Sequence, residues 1–436
     1  MKSEEMEADV SAAPAGALRM TTARALVTVL LGLILSSTAA GNQVDLASFV
    51  RDAVAGNATV LAAEAALRAE GERRDGAARS YDNPELSIEA EDIGAFQRGD
   101  HETERRLVVG LTQQLDLHGK RRARTTVAAV KHLIALAELD GVRAETAGEL
   151  LHALARWQTE TVRVTLLEAH EDAMEEFEAL AERQEAAGDI SRMEAGLATL
   201  ALAETRMSRV AAEVERSLAA QSVRNVTFAG DETAWPALHF AFPPLGEVSV
   251  EDVSALPVVR AASLRARAAA AEVDVSRLHR RPDPTVNVGA GRERETGVVE
   301  FGVSVPLPVL NRGVQAVAAA TADATASERD SDDVARRARA RFEASAERYR
   351  IARHAWQEWL GEGAGSLEDR ETLARRSWEA GELTPGEYLM HTDAAVELKL
   401  QALDLRSAVW EAWFEWLVAS GRLDHWLGTL SNEGGG

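Results

Sequence analysis

The chain says nearly everything twice. Ala187-Gly188-Asp189-Ile190-Ser191-Arg192-Met193-Glu194 returns 193 residues later as Ala380-Gly381-Glu382-Leu383-Thr384-Pro385-Gly386-Glu387. Leu115-Asp116-Leu117-His118-Gly119-Lys120 returns 192 residues later as Leu307-Pro308-Val309-Leu310-Asn311-Arg312, and Asn83-Pro84-Glu85-Leu86 returns 200 residues later as Asp283-Pro284-Thr285-Val286. A period this long is no solenoid unit; it is a duplicated half-protein, so the fold must be assembled from two similar halves.

Each half carries the same order of local signals. Val44–Ser80 is Ala-rich and helix-forming, and from Pro84 the texture changes to alternation. Leu86, Ile88 and Ala90 alternate with Glu85, Ser87 and Glu89, and after a polar loop Leu107, Val109 and Leu111 alternate again. This period of two over a strand's length predicts a β-hairpin. In the second half Val286, Val288 and Ala290 precede a turn at Arg292–Gly297, and Val299, Phe301, Val303 and Val305 follow it. The second hairpin is shorter, and the shortening falls in the loop, where length is free to vary.

After each hairpin a sharp turn leads into a very long helical stretch. Lys120–Ala187 contains no Pro and only Gly141 and Gly148; as one helix it would extend about 100 Å. Leu150, Leu154, Trp157, Leu167, Met174 and Phe177 recur at coiled-coil spacings. The second copy, Gly313–Ala380, should be interrupted at Gly361-Glu362-Gly363-Ala364-Gly365. The chain turns back at Gly188 and at Gly381, and Met193, Leu197, Leu200, Met207, Val210, Val214 and Leu218 mark the first returning seam.

Composition agrees with long helices: Ala, Glu, Arg and Leu dominate, Pro numbers 11 and aromatic residues are 5%. A net charge of −22 argues against nucleic acid as a partner. The absence of Cys excludes a disulfide framework, a thiolate metal site and lipidation at an N-terminal Cys. Ala25–Leu35 is an apolar run of 11 followed by small residues, which reads as a signal-peptide core cleaved near Ala39 or Ala40. The acidic leader before it (Glu4, Glu5, Glu7, Asp9) fits a signal poorly, whereas translation from Met20 gives a conventional one. No other stretch is long and apolar enough to span a bilayer as a helix.

The predicted organisation is therefore mainly α with a small β part. Residues 1–40 are the export signal and 41–240 the first repeat, with its hairpin at about 84–115 and helical turn at about 187–192. Residues 241–256 link the repeats; 257–423 form the second, with its hairpin at about 284–306 and turn at about 380–385, and 424–436 form a C-terminal tail. Four strands cannot close a barrel, and a bilayer tolerates no open sheet edge. Three chains would supply twelve strands, an even number allowed for an outer-membrane barrel.

In this order of elements, in the duplicated hairpin, in the paired turns and in Asn83-Pro84-Glu85-Leu86, the chain resembles the TolC family of outer membrane factors over roughly Val44 to Leu423. Asn83–Leu86 and Pro306-Leu307-Pro308-Val309-Leu310-Asn311-Arg312-Gly313 look most like the heavy-metal branch typified by CzcC. The resemblance implies a homotrimer: a twelve-stranded β-barrel in outer-membrane lipid above a periplasmic α-helical coiled-coil barrel. Its tip would dock a periplasmic adaptor bound to an inner-membrane pump. Family members are often anchored through a lipidated N-terminal Cys, which this chain lacks.

Site residues follow from the same resemblance. Gly188, Asp189, Ile190 and Ser191, with Gly381, Glu382, Leu383 and Thr384, are the expected adaptor-docking tips. A turn glycine needs no function, but an acid, an aliphatic and a hydroxyl recur after the glycine in both copies. Glu194 and Glu387 could ring the channel entrance and focus cations, or be ordinary solvated charges. Val299, Phe301 and Val303 share one strand face and are the expected lipid-facing surface. Trp410, Trp413 and Trp416 lie far from either hairpin and read as helix packing. Ten histidines include no His-x-His or His-x₃-His pair, so no metal site, cofactor site or catalytic constellation is expected.

The expected function is a passive outer-membrane conduit of a tripartite efflux system, paired with an RND-type pump exporting heavy-metal cations. Drug efflux or type I protein secretion through the same channel is the alternative within the family. A pore-free periplasmic coiled-coil scaffold is the alternative of another class, and it leaves two hairpins with lipid-compatible faces without a purpose.

Overall fold

The computed structural model describes residues 45–79, 83–94, 103–227, 232–238, 241–246, 253–293 and 295–433. The expected export signal and the alternative start at Met20 lie outside the described residues.

The first copy consists of α1 (Leu46–Gly56), α2 (Ala58–Arg79), β1 (Glu85–Gly94), β2 (Thr103–Gln114), α3 (Lys120–Ala187) and α4 (Arg192–Thr227). The second consists of α5 (Pro257–His279), β3 (Thr285–Glu293), β4 (Thr296–Ser304), α6 (Val314–Glu358), α7 (Ala364–Glu379) and α8 (Pro385–Ser420), with α9 (Leu423–Glu433) closing the chain. α3 is a single helix of 68 residues. It starts at Gly119 and stops at Gly188, both left-handed at φ 75° and 85°, as a chain must be where it enters or leaves a helix at a sharp angle.

The break expected in the second long helix is not a break. Trp359–Gly363 forms one π-helical turn that joins α6 to α7. The helix keeps its direction because the wider turn redistributes its hydrogen bonds instead of losing them. A Cβ on Gly363 would collide with the Trp359 ring, so the glycine is what lets the indole lie against the turn.

The four strands form one antiparallel sheet in the order β1-β2-β3-β4, so the two hairpins join within the chain through β2 and β3. β1 and β4 are left as open edges.

The main core lies where the helices of both copies meet. Leu150, Leu151 and Leu154 of α3 pack with Val223 of α4, Tyr349 of α6 and Trp410, Trp413, Phe414 and Leu417 of α8. All three tryptophans of α8 are buried, Trp416 to 2% exposure, as helix packing requires. α9, within the expected tail, contributes Leu423 and Leu427 to this core and packs on α1. The segment between the repeats is a strap over the core. Trp235 meets Trp157 edge-on, Leu238 N–H donates to Gln158 Oε1 at 2.9 Å, and Tyr349 Oη donates to the Pro243 carbonyl at 2.6 Å. Truncating Trp413 to Ala should cost about 3–5 kcal/mol, read as a fall in the denaturation midpoint of the purified protein.

Candidate functional surfaces: the sheet face and the helical tips

Strand register decides what the sheet presents. Leu86 pairs with Leu111, Ile88 with Val109 and Ala90 with Leu107; across the next pair Leu111 meets Val288 and Val109 meets Ala290. Val288 then meets Phe301, Ala290 meets Val299 and Val286 meets Val303. One face is thus apolar from edge to edge, because side chains alternate and the register keeps the alternation in phase. It is also uncovered: Leu86 is 69% exposed, Phe301 74% and Val299 81%. Among the described residues no helix is long and apolar enough to cross a membrane.

The opposite face is built differently. It carries Glu85, Ser87, Glu89, Thr112 and Asn287, with Val108 buried to 3%. β3 contributes only Gly289 and Gly291 there, and Arg106 of β2 forms an ion pair with Glu300 of β4 across that gap. A Cβ on Gly289 would come 3.0 Å from Val108 Cγ1, and one on Gly291 would strike the Leu107 backbone. Glycine is required for the strands to approach on this face.

At the far end of the helices both tips are the same motif. Gly188 N–H donates to Glu185 O and Asp189 N–H to Gln184 O; Gly381 N–H donates to Trp378 O and Glu382 N–H to Ser377 O. These are two Schellman caps with glycine at the left-handed position. Three residues later each returning helix starts with a capping box. The Glu194 amide donates to Ser191 Oγ at 3.2 Å while Glu194 Oε2 accepts from the Ser191 amide at 2.7 Å. Thr384 and Glu387 repeat the exchange at 3.3 and 2.9 Å.

The two carboxylates therefore have a structural task that the sequence reading missed, although the signal was present as Ser-x-x-Glu and Thr-x-x-Glu ahead of each returning helix. The backbone N–H and the hydroxyl of Ser191 hold the Glu194 carboxyl below its ordinary pKa, and Thr384 does the same to Glu387. With a lowered folded value, each cap is intact above the ordinary carboxylate range and is lost as pH falls through the lowered one. Thr384→Ala should cost about 1 kcal/mol locally; faster amide exchange at residues 384–388, unmatched at Ser191–Ala195, is the expected readout.

Beneath the tips Phe177, Trp378 and Tyr388 form a mutually packed trio, with Trp378 and Tyr388 stacked at 5.2 Å. Ile190 and Leu383, both among the expected docking residues, pack against this cluster, whereas Gly188 and Gly381 have open space where a Cβ would stand.

The returning seam on α4 holds the other unexpected placement. The side chains it turns toward α3 are mostly small, Ala195, Ala198 and Ala212, which permits close approach. The larger apolar residues, Met193, Leu200, Met207, Val210, Val214 and Leu218, form a stripe open to the outside, with Met193 80% exposed.

Residues 49–227 match the family model of outer membrane efflux proteins. No curated protein matches the chain in sequence. Among solved structures, CusC is 15% identical and superposes with a TM-score of 0.75 over 87% of this chain and 92% of its own. The outer-membrane channel OprN is 18% identical, with a TM-score of 0.76 over 86% and 90%. The outer membrane protein VceC from Vibrio cholerae is 16% identical, with a TM-score of 0.73 over 87% and 96%. With the family match in its first half and this fold across both, the chain belongs to the outer membrane efflux proteins, the TolC-like channels.

Proposed function

We propose that three copies of this chain close a twelve-stranded barrel in the outer membrane and a helical barrel beneath it, forming a passive conduit from periplasm to exterior. The observation that carries the proposal is the four-stranded sheet with one wholly apolar, exposed face and two open edges. Such a face has a stable home in lipid, and such edges are satisfied only by closure. The open apolar stripe on α4 supports the same assembly lower down, since a stripe of that length needs a cover.

Val299, Phe301 and Val303 then face lipid. The tips at Gly188–Ser191 and Gly381–Thr384 dock the periplasmic adaptor, which connects the channel to an inner-membrane pump. Glu194 and Glu387, besides capping their helices, place carboxylates near the entrance. We assign heavy-metal cations and an RND-type pump as substrate and partner, on the likeness of Asn83–Leu86 and Pro306–Gly313 to the heavy-metal branch and on a net charge of −22, which attracts cations. Export by an N-terminal signal completes the reading.

Outer-membrane fractionation followed by unheated gel electrophoresis tests the channel. A heat-modifiable trimer in the outer membrane is expected, and a periplasmic monomer overturns the proposal. Sensitivity of a deletion strain to divalent metals rather than to lipophilic drugs tests the substrate class. The lipid face is tested by Phe301→Arg, which should cost about 2–4 kcal/mol per chain near the bilayer midplane. The readout is a fall in membrane-inserted trimer; an unchanged yield would place Phe301 away from lipid.

A further inference from the structure

The chain already contains one junction between its halves. β2 pairs with β3 from Arg106↔Glu293 to Gln114↔Thr285, and just beyond the ladder Leu115 N–H donates to the Pro284 carbonyl at 2.9 Å. Beside it Asp283, 4% exposed, accepts from Lys120 Nζ at 2.8 Å and lies 3.2 Å from His118 Nδ1. Further down, α5 lies along α3, joined by Lys131–Glu272 and Arg265–Glu138.

The other ends of the duplication have no such partner within the chain. β4 is the repeat equivalent of β2, and β1 of β3, yet both are edges. α3 buries twenty residues, but its equivalent α6 buries only Ser345, Ala346 and Tyr349. Below β4, Leu307, Val309 and Leu310 stand open, Leu310 at 97%. What is missing is the element that α5 and β3 supply to the first copy, and within the duplication the same element is α2 and β1.

We propose that β4 pairs with β1 of a second copy in the register of β2 with β3, which sets Ser304 opposite Ser87 of the partner subunit and Arg312 beside Asn83 of the partner subunit. This rests on the trimeric reading above. The register follows from the repeat offsets, 192 for β2 to β4 and 200 for β1 to β3. It sets Val305 against Leu86, Val303 against Ile88 and Phe301 against Ala90 of the partner subunit, so the apolar face crosses the subunit boundary without a step. A slip of one residue would put each of these opposite a polar side chain.

Hydrogen-bond direction agrees. In an antiparallel sheet alternate residues exchange bonds with one neighbour and then the other. Because Leu115 bonds to Pro284, the odd-numbered residues of β2 point to β3, and the same alternation carried through the sheet leaves the odd-numbered residues of β4 and the even-numbered residues of β1 facing the open edges. Pro306, even-numbered, therefore removes no donor from the edge that must pair.

The junction itself fixes the remaining freedom, a slip of two. Gly119 and Gly313 are equivalent left-handed helix starts, at φ 75° and 66°, so Arg312 takes the place of His118. Asn83 takes the place of Asp283 and offers its side-chain carbonyl to the guanidinium. A slip of two separates them.

The chain has no cysteine, so disulfide trapping is clean. Residues 87 and 304 lie on opposite edges of the sheet, three strand spacings or about 14 Å apart, and cannot be bridged within one chain. Ser87→Cys with Ser304→Cys, oxidised in membranes, should run as a covalent trimer with loss of the monomer band on a non-reducing denaturing gel. The slipped pairs Ser304→Cys with Glu85→Cys and Ser304→Cys with Glu89→Cys should stay monomeric. Cross-linking of a slipped pair, or of none while the unmodified chain still forms trimers on an unheated gel, overturns the register alone. Absence of trimers in the unmodified chain overturns the assembly and the register together.

Discussion

A channel carrying Gly381→Asp is expected to reach the outer membrane as a trimer and to support no efflux. Two local facts separate assembly from function at this position. Gly381 has φ 75°, and a Cβ there would meet nothing within 4 Å. A non-glycine residue thus carries about 1–2 kcal/mol of backbone strain and no collision. The tip beneath it is held by the Phe177, Trp378 and Tyr388 trio, which the substitution does not touch. The fold should therefore tolerate a change that alters the surface offered to a docking partner in both charge and bulk.

Gly381→Ala is the control, because it carries the same strain without the charge and should retain most efflux. Resistance of cells bearing each variant, set against trimer yield from the same membranes, reads the difference. Normal efflux by Gly381→Asp at normal yield would remove the tip from the docking surface. Equal loss in Gly381→Ala would make backbone geometry, not contact chemistry, the cause.

The elements that were legible in the sequence are those whose signals are local. Alternation through Leu86, Ile88 and Ala90 marked a strand that runs Glu85–Gly94, and the Pro-free stretch from Lys120 marked a helix that ends at Ala187 before Gly188. What stayed hidden depends on contacts far apart in sequence or on a choice between equivalent faces. The stripe from Met193 to Leu218 has the spacing of a packed seam, but spacing cannot say which chain packs on it, and the alanines between took the contact with α3. Glycines at 361, 363 and 365 carry a propensity cost, yet the helix absorbed them in a π turn because flanking residues on both sides continue it. Residues 424–436 looked like a tail because their few apolar side chains form no long pattern; Leu423 and Leu427 are nonetheless buried against the α8 aromatics.

The capping boxes are a different kind of omission. Ser191-x-x-Glu194 and Thr384-x-x-Glu387 were readable, and the repetition of a carboxylate at one place in both copies pointed instead to a pore charge. The two tasks draw on the same group. Glu387→Gln keeps a side-chain acceptor for the Thr384 amide and removes the charge, so single-channel conductance of that variant separates them. Altered cation selectivity is the expected result if the entrance uses the charge, and unchanged selectivity with a looser tip would leave capping as the carboxylate's role.

Asp283→Ala should be the most destabilising single change outside the cores, at about 3–5 kcal/mol, because it strands a cation that has lost its water. Lys120 is 11% exposed at its side chain, and its ammonium has Asp283 as its ion-pair partner. The loss falls where the two halves of the chain join, at the foot of the β2–β3 ladder. The pH dependence gives the interaction its signature. Burial pushes the Asp283 carboxyl up, but hydrogen bonds from Lys120 and His118 and the Lys120 charge outweigh it, so the net value lies below the ordinary one. A folded-state pKa below the unfolded one means that the contribution is complete above about pH 4 and is lost as pH falls through the lowered value. The stability gap between the native chain and Asp283→Ala should therefore be widest at neutral pH and close in acid, measured as denaturation midpoints of the detergent-solubilised channel. Asp283→Asn, which keeps an acceptor but no charge, should fall between them at neutral pH. A gap that stays constant from neutral pH to pH 3 would mean that packing, not the ion pair, holds this junction. The copied junction between subunits would have Asn83 in the same place, so acid should loosen the seam within each chain before it loosens the seam between chains.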